Sequence, residues 1–503
     1  MSERDGASHE LAPLSDNLDL DLERQTPSAS PLPRQSERQQ RQKQHPPSTA
    51  FLDGLRGLAA FVVYLHHTIG NFDRTVLAHG FGEGGHWYVG SLPFVRILFN
   101  GGNAAVALFF VLSGYVLGRS PMRRLLLARN DGNGIGNGKR DAACLWALAS
   151  AVVRRPLRLY VPPLVLTFVF ALMLHVPGNF VPQLLWPQPK EDVFLEAMNW
   201  VVESVRFFNP FQSHSNEWFF AYNIVVWTIP VELKGSMLIY GLAALYALNP
   251  TRLSARAYVL VCSAAAVALL QTGFWSMACF IAGLVLTCVD VYAPLDVVPS
   301  FLSRRWGSPR TRAVAHHLAF VAGYYLLCQP AHSGTPEYSL DTPGWRTLTR
   351  LVPGVYSENQ YYRYWPSWGA ALLLYAVLRI AWLQRFFNTR PLQYLGRVSF
   401  MFYLAHLPMQ YILGDRVARM FGHVAEGAQP SWWDNRLAVP DVGPLGFNSR
   451  FLLMTAVMLP VNMLVADFLT KVLDVPCVRL GKRLTRWLGL EQRAAARKAG
   501  NSG

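Results

Sequence analysis

Four apolar stretches of the sequence carry side chains that are costly at membrane depth, and that cost makes each a candidate for chemistry. The first, FLDGLRGLAAFVVYLHHTIG, contains Asp53, Arg56, His66 and His67. On a helix, the eleven-residue step from Arg56 to His67 leaves the two about 20° apart on one face and about 16 Å apart along the axis. Gly57, Ala59 and Ala60 lie between them and permit close approach of a second helix. A guanidinium at one level suits an anionic ligand, and an imidazole nearer the midplane suits proton transfer. The plainer alternative has Arg56 reaching the headgroups and His67 making an interhelical hydrogen bond. His66, roughly 80° round the helix, leaves the choice between the two histidines open.

The second stretch, EWFFAYNIVVWTIPVELKGSMLIYG, places Glu232 deep in the membrane two residues after Pro230, with Thr228 and Ser236 on its face. A proline there is expected to kink the helix, and His67 is an obvious partner for the carboxylate. Lys234 falls almost opposite. In the third, YLGRVSFMFYLAHLPMQYIL, a polar stripe of Ser399, Tyr403, His406 and Gln410 spans about 60°, as expected of a face turned to a cavity or to other helices. In the fourth, GGNAAVALFFVLSGYVLG, the Gly and Ala spacing signals helix packing, with Asn103 and Ser113 as weaker site candidates. Two arginine clusters stand at membrane borders: Arg119, Arg123 and Arg124, and then Arg154, Arg155 and Arg158 in VVRRPLRLYVPPL. Either serves orientation, and the second also suits the phosphates of a nucleotide-containing ligand.

The elements that must hold these residues follow from composition. The chain has 503 residues, 51% hydrophobic and 15% charged, against about 25% charged for a soluble protein. The expectation is an all-α polytopic membrane protein of about ten transmembrane helices, at about 51–71, 94–118, 156–176, 218–248, 256–271, 274–292, 313–330, 366–384, 395–414 and 449–471. Residues 1–48 read as a disordered polar tail without a signal-peptide core, and 476–503 as a basic C-terminal tail. Lys and Arg gather in alternate loops, which puts both termini in the cytoplasm. The net charge of +15 is thereby a topology signal, and no nucleic-acid partner is implied. The six cysteines include no CxxC pair, the histidines form no HExxH, and no metal site is expected.

In this order, LDGLRGLAAFVVYLHH, ALFFVLSGYVL, RRPLRLYVP, WTIPVELKGS and YLGRVSFMFYLAH resemble the membrane-bound acyltransferase 3 family of multi-pass O-acyltransferases, in wording most like its fungal members. The resemblance implies an acyltransferase domain over 49–475 and transfer of an acyl group, usually acetyl, from acyl-CoA to a hydroxyl of a glycan or small natural product. It also implies a functional requirement for the Arg and His of the first span, which map to Arg56 and His67. Many relatives have Asp in the glycine-rich run where this chain has NAAVAL, so no acidic role is carried over there.

The expected mechanism docks CoA against Arg154, Arg155, Arg158 and Arg56. His67, balanced by Glu232, is the base, and Ser399, Tyr403 and His406 line the acceptor path or face the developing oxyanion. Membrane lipid, acyl-CoA and a hydroxyl acceptor are the partners, in an endomembrane or the plasma membrane. A proton-coupled transporter is the competing class, because intramembrane His and Glu also relay protons, but WTIPVE and YLGRVSFMFYLAH have no internal counterparts.

Overall fold

A computed structural model describes residues 49–72, 79–85, 87–130, 137–176, 187–209, 219–248, 253–292, 308–330, 340, 342–356, 360–443 and 448–490. The expected tail of residues 1–48 lies outside them. Among the described residues every regular element is helical, as the all-α expectation requires. The helices of seven or more residues are α1 (Ala50–Phe72), α2 (Gly102–Asn130), α3 (Asn137–Met173), α4 (Val193–Phe207), α5 (Thr228–Leu248), α6 (Ala255–Gln271), α7 (Trp275–Tyr292), α8 (Pro309–Leu327), α9 (Tyr361–Val377), α10 (Ala381–Phe387), α11 (Arg390–Met409), α12 (Ser449–Leu469) and α13 (Val475–Trp487).

Small residues set the two closest packings. A Cβ on Gly57 of α1 would lie 2.4 Å from the Gly396 backbone nitrogen of α11, and one on Gly396 would lie 2.4 Å from the Asp53 carbonyl oxygen. Further along, His67 meets His406 and Thr68 meets Gln410, so α1 and α11 run parallel. Helix α2 approaches α7 in the same way, with Gly114 against the Phe280 carbonyl and Gly283 against that of Val111. Backbones can touch only where no Cβ intervenes, and this fixes where α1, α2 and α11 present their polar faces.

Among the described residues, four stretches suffice by length and composition to cross a membrane: Gly102–Leu125, Ala142–Met173, Ile224–Leu248 and Ser449–Trp487. A fifth is α9 with α10, bent by 98°. Helices α6 and α7 are apolar but shorter, and join through Gly273 at φ 90°, the tight hairpin that its glycine permits. Leu245, Leu260, Leu318, Leu464 and Phe468, on four helices, point outward and exposed, as a lipid-facing surface requires.

Several expected boundaries differ. The second span begins at Gly102 rather than residue 94, because residues 97–100 form a separate helical turn. The arginine cluster expected to precede the third span sits within the 37-residue α3. The fourth segment enters as a 3-10 turn over Ile224–Trp227 and is α-helical from Thr228, so Pro230 falls in the first turn of α5, where its missing N–H is least needed. Helix α4, in a stretch read as loop, inverts the usual pattern: Phe194, Met198, Val201, Val202 and Val205 face outward while Glu196 and Ser204 are buried. Its buried carboxylate accepts from the Tyr222 hydroxyl (2.5 Å) and the Lys190 amide (2.7 Å), and lies 3.2 Å from His175 Nε2.

Candidate active site

The first shared feature of α1, α2, α3, α5 and α11 is a cavity of ≈ 140 Å³ between them. Arg56, Arg155, Arg158 and Glu232 give it charge, Ser113, Thr228, Ser399 and Tyr403 give it hydroxyls, and aromatic and aliphatic side chains complete the wall. Residues separated by more than 340 positions thus face one space, because α1 and α11 are parallel and locked at Gly57 and Gly396.

Each guanidinium at the cavity already has a carboxylate. Arg56 Nη1 donates to Asp53 Oδ1 (3.1 Å), and Arg158 Nε lies 3.6 Å from Asp474 Oδ1. Arg155 donates from Nη2 to Glu232 Oε1 and from Nε to the Ser236 hydroxyl (2.9 Å), which in turn donates to the Glu232 carbonyl (2.6 Å). Glu232 therefore takes Arg155 rather than the expected His67. The helical periodicity that placed Glu232 and Ser236 on one face is correct, but it carries no information about which neighbouring helix that face meets. Arg154 parts from its cluster, packing over Gly481 of α13. Asp474 escaped the sequence reading; an acid inside an otherwise apolar and basic stretch was its one signal.

Beyond Tyr403 stands an imidazole pair. His67 Nδ1 is 3.0 Å from the Val63 carbonyl and 3.1 Å from His406 Nε2, and His406 Nδ1 is 2.7 Å from the Tyr403 carbonyl. A carbonyl oxygen only accepts, so in neutral imidazoles both Nδ1 atoms carry the proton. His406 Nε2 then accepts from His67, and the lone pair of His67 falls on Nε2. His66 is turned the other way: its ring lies against Gly102, where a Cβ would be 2.6 Å from Cδ2. The two histidines are thus distinguished by the helices they face, α11 for His67 and α2 for His66.

Between cavity and imidazoles lies a polar floor. The Tyr403 hydroxyl donates to the Val225 carbonyl (2.8 Å) and is 3.1 Å from the Thr228 hydroxyl, while Asn223 Nδ2 donates to the Leu404 carbonyl (2.9 Å). These bonds satisfy carbonyls around the short 3-10 turn leading into α5, which would each cost about 1–3 kcal/mol if buried unpaired. Of the expected acceptor stripe, Ser399 and Tyr403 line the cavity, Ser399 with its hydroxyl bonded to the Gly396 carbonyl (2.8 Å), and His406 lies beyond it. His67 is likewise outside the cavity wall. Thr228, noted only as a face-mate of Glu232, lines the cavity, and Asn223, which ties the segment to α11, went unremarked.

Comparison with known proteins gives this arrangement its family. The profile of the acyltransferase domain designated acyltransferase 3 matches residues 49–467. An O-acetyltransferase, PaAT-1 of Phomopsis amygdali, is 30% identical over 74% of this chain and 74% of its own. The acyltransferase clz18 of Cochliobolus lunatus and the acyltransferase R4 of a Phoma species are each 25% identical, over 72% of this chain and 82% of theirs. No solved structure matches. With the family profile spanning all five helices that form the cavity, the chain belongs to the acyltransferase 3 family and is an acyltransferase.

Proposed function

We propose that the protein is an integral membrane O-acyltransferase of ten spans with both termini cytoplasmic, a single acyltransferase domain over 49–475 between two polar tails. It moves an acyl group, acetyl in the simplest case, from acyl-CoA to a hydroxyl of a glycan or small natural product. The observation that carries this reading is an imidazole pair, with its lone pair on His67 Nε2, set beyond a cavity ringed at its other end by Arg56, Arg155 and Arg158. The name of the Phomopsis relative supports acetyl as the group transferred.

CoA enters from the arginine end, its phosphates competing with Asp53 and Asp474 for the guanidiniums, and its thioester reaches into the cavity. The acceptor hydroxyl approaches from the imidazole side. His67 Nε2 takes the hydroxyl proton as the oxygen bonds to the thioester carbonyl carbon. Thr228 is the donor offered to the oxyanion that forms, its bond to the Val225 carbonyl being long at 3.3 Å, while the single Tyr403 proton already goes to that carbonyl at 2.8 Å. The tetrahedral intermediate collapses with cleavage of the C–S bond, and the leaving CoA thiolate recovers the proton from His67. His406 holds the tautomer that this cycle requires, and Glu232 holds Arg155.

Membranes bearing the full chain, given acetyl-CoA and a panel of sugars and small alcohols, test this through the thiol released. His67→Ala is expected to lower release by about 10²–10⁴-fold, the usual worth of general-base help, and His66→Ala to retain most of it. Normal release from the His67 variant, or none from the wild type, refutes the reading.

A further inference from the structure

Six apolar side chains line the cavity, and they differ in how firmly they are held. Phe110 is 1% exposed, stacked on Phe280 at 5.2 Å and against Trp275 at 5.5 Å. Ile229 and Leu159 are buried in the core as well. Phe109 is different: it is only partly buried, and its ring meets Tyr403 edge-on at 5.9 Å. Tyr403 is fixed in turn by Val225 and Thr228. Phe109 and Phe400 are the large side chains of the wall that are only partly buried, and of the two it is Phe109 whose ring meets Tyr403, next to the hydroxyls that close the floor. Val106, one turn away on α2, lines the same wall.

Resting on the acyl-CoA reading above, we propose that Phe109, backed by Val106 and braced against Tyr403, limits the length of the acyl group the enzyme accepts. Size supports a short group. An apolar cavity of ~150 Å³ holds one benzene, and this one, at ≈ 140 Å³, also has to admit the thioester. That leaves room for an acyl chain of about four carbons or fewer. A longer chain meets the Phe109 ring before its carbonyl reaches the Tyr403–Thr228 level. The basic end does not sort donors by length, because every CoA thioester presents it with the same phosphates.

The test is a donor series of acetyl-, butyryl- and hexanoyl-CoA, read as thiol release by the full-length protein in membranes. Wild type is expected to favour acetyl and to discriminate strongly against hexanoyl. Phe109→Ala is expected to raise the hexanoyl-to-acetyl ratio by about 10–100-fold, the range one or two methylenes command in an apolar pocket. Val106→Leu, which narrows the same end, is expected to lower the butyryl-to-acetyl ratio. If Phe109→Ala turns over no donor, Phe109→Leu is read in its place. A ratio unchanged in the variant that is active overturns the proposal, as does loss of all turnover in both while the protein stays monodisperse in detergent. A wild type that releases no thiol from any donor instead refutes the acyl-CoA reading itself.

Discussion

Among single residues, Glu232 departs furthest from expectation, and its surroundings explain its cost. Its side chain is 14% exposed and that of Arg155 16%, so both charges are largely withdrawn from water. Removing one partner of such a pair strands the other, at about 3–5 kcal/mol, whereas replacing both with apolar groups is often neutral. Glu232→Ala is therefore expected to lower stability in detergent by about that much, and Glu232→Leu with Arg155→Leu to recover at least half of it. Thermal unfolding of the purified variants, with Arg155→Leu alone completing the cycle, decides the matter; a double variant destabilised by the sum of the two singles shows the pair has no energetic coupling. The shared face of Arg56 and His67 was legible from spacing within one helix, although Arg56 lines the cavity and His67 stands outside its wall. The pairing of Glu232 was not, because Arg155 lies 77 residues away and only the rotation of α3 against α5 brings it near.

Among elements, the helices whose packing is written in small residues were the legible ones. Gly57 with Ala59 and Ala60 announced a close crossing on α1, and Gly396 receives it. Less legible were short stretches whose local turns are pinned by tertiary bonds, such as the entry to α5 and the segment after α11. There Arg419 donates from Nε to Asp434 Oδ1 (2.7 Å) and from Nη2 to Oδ2 (2.9 Å), and the Asn435 and Leu437 amides bond back to the Arg419 and Met420 carbonyls. Those two donated bonds, chiefly, hold the Asp434 carboxyl below the usual carboxylate range. A depressed carboxyl contributes stability that is complete above its unfolded value, near 4, and is lost as pH falls through the folded value. Segment 421–443 is thus expected to stay docked from neutral pH down to about pH 4 and to loosen below it. Partly buried Asp415, 4.0 Å from Arg419, is shifted upward by desolvation, so its contribution runs the opposite way and favours low pH. Asp434→Asn separates the two: limited proteolysis of this segment should lose its acid onset in that variant. An onset that persists assigns the effect elsewhere.

At the scale of the whole molecule, charge and apolarity have to be satisfied by one orientation in the bilayer. In the proposed topology parallel α1 and α11 cross in the same sense, and the Arg56 end of the cavity then opens on the side where CoA would be supplied. The proposed topology makes that side the cytoplasm, as the Lys and Arg bias favours: Arg310 and Arg312 lie in the first turn of α8, and Lys482, Arg483 and Arg486 lie on α13. The segment holding Arg419 and Asp434 follows the far end of α11, and so belongs on the opposite face. All six native cysteines are buried, which leaves little background for thiol labelling. Arg310→Cys and Ala425→Cys, both at exposed positions, place one probe at each end. In sealed vesicles of known sidedness, a membrane-impermeant maleimide should reach Cys at 425 only from the non-cytoplasmic face and Cys at 310 only from the cytoplasmic face. Labelling of both from one side would break the ten-span topology, and exchange of the two sides would invert it. Inversion would also turn the guanidinium-ringed end of the cavity away from cytoplasmic CoA, so one measurement bears on the fold, the orientation and the route of the acyl donor.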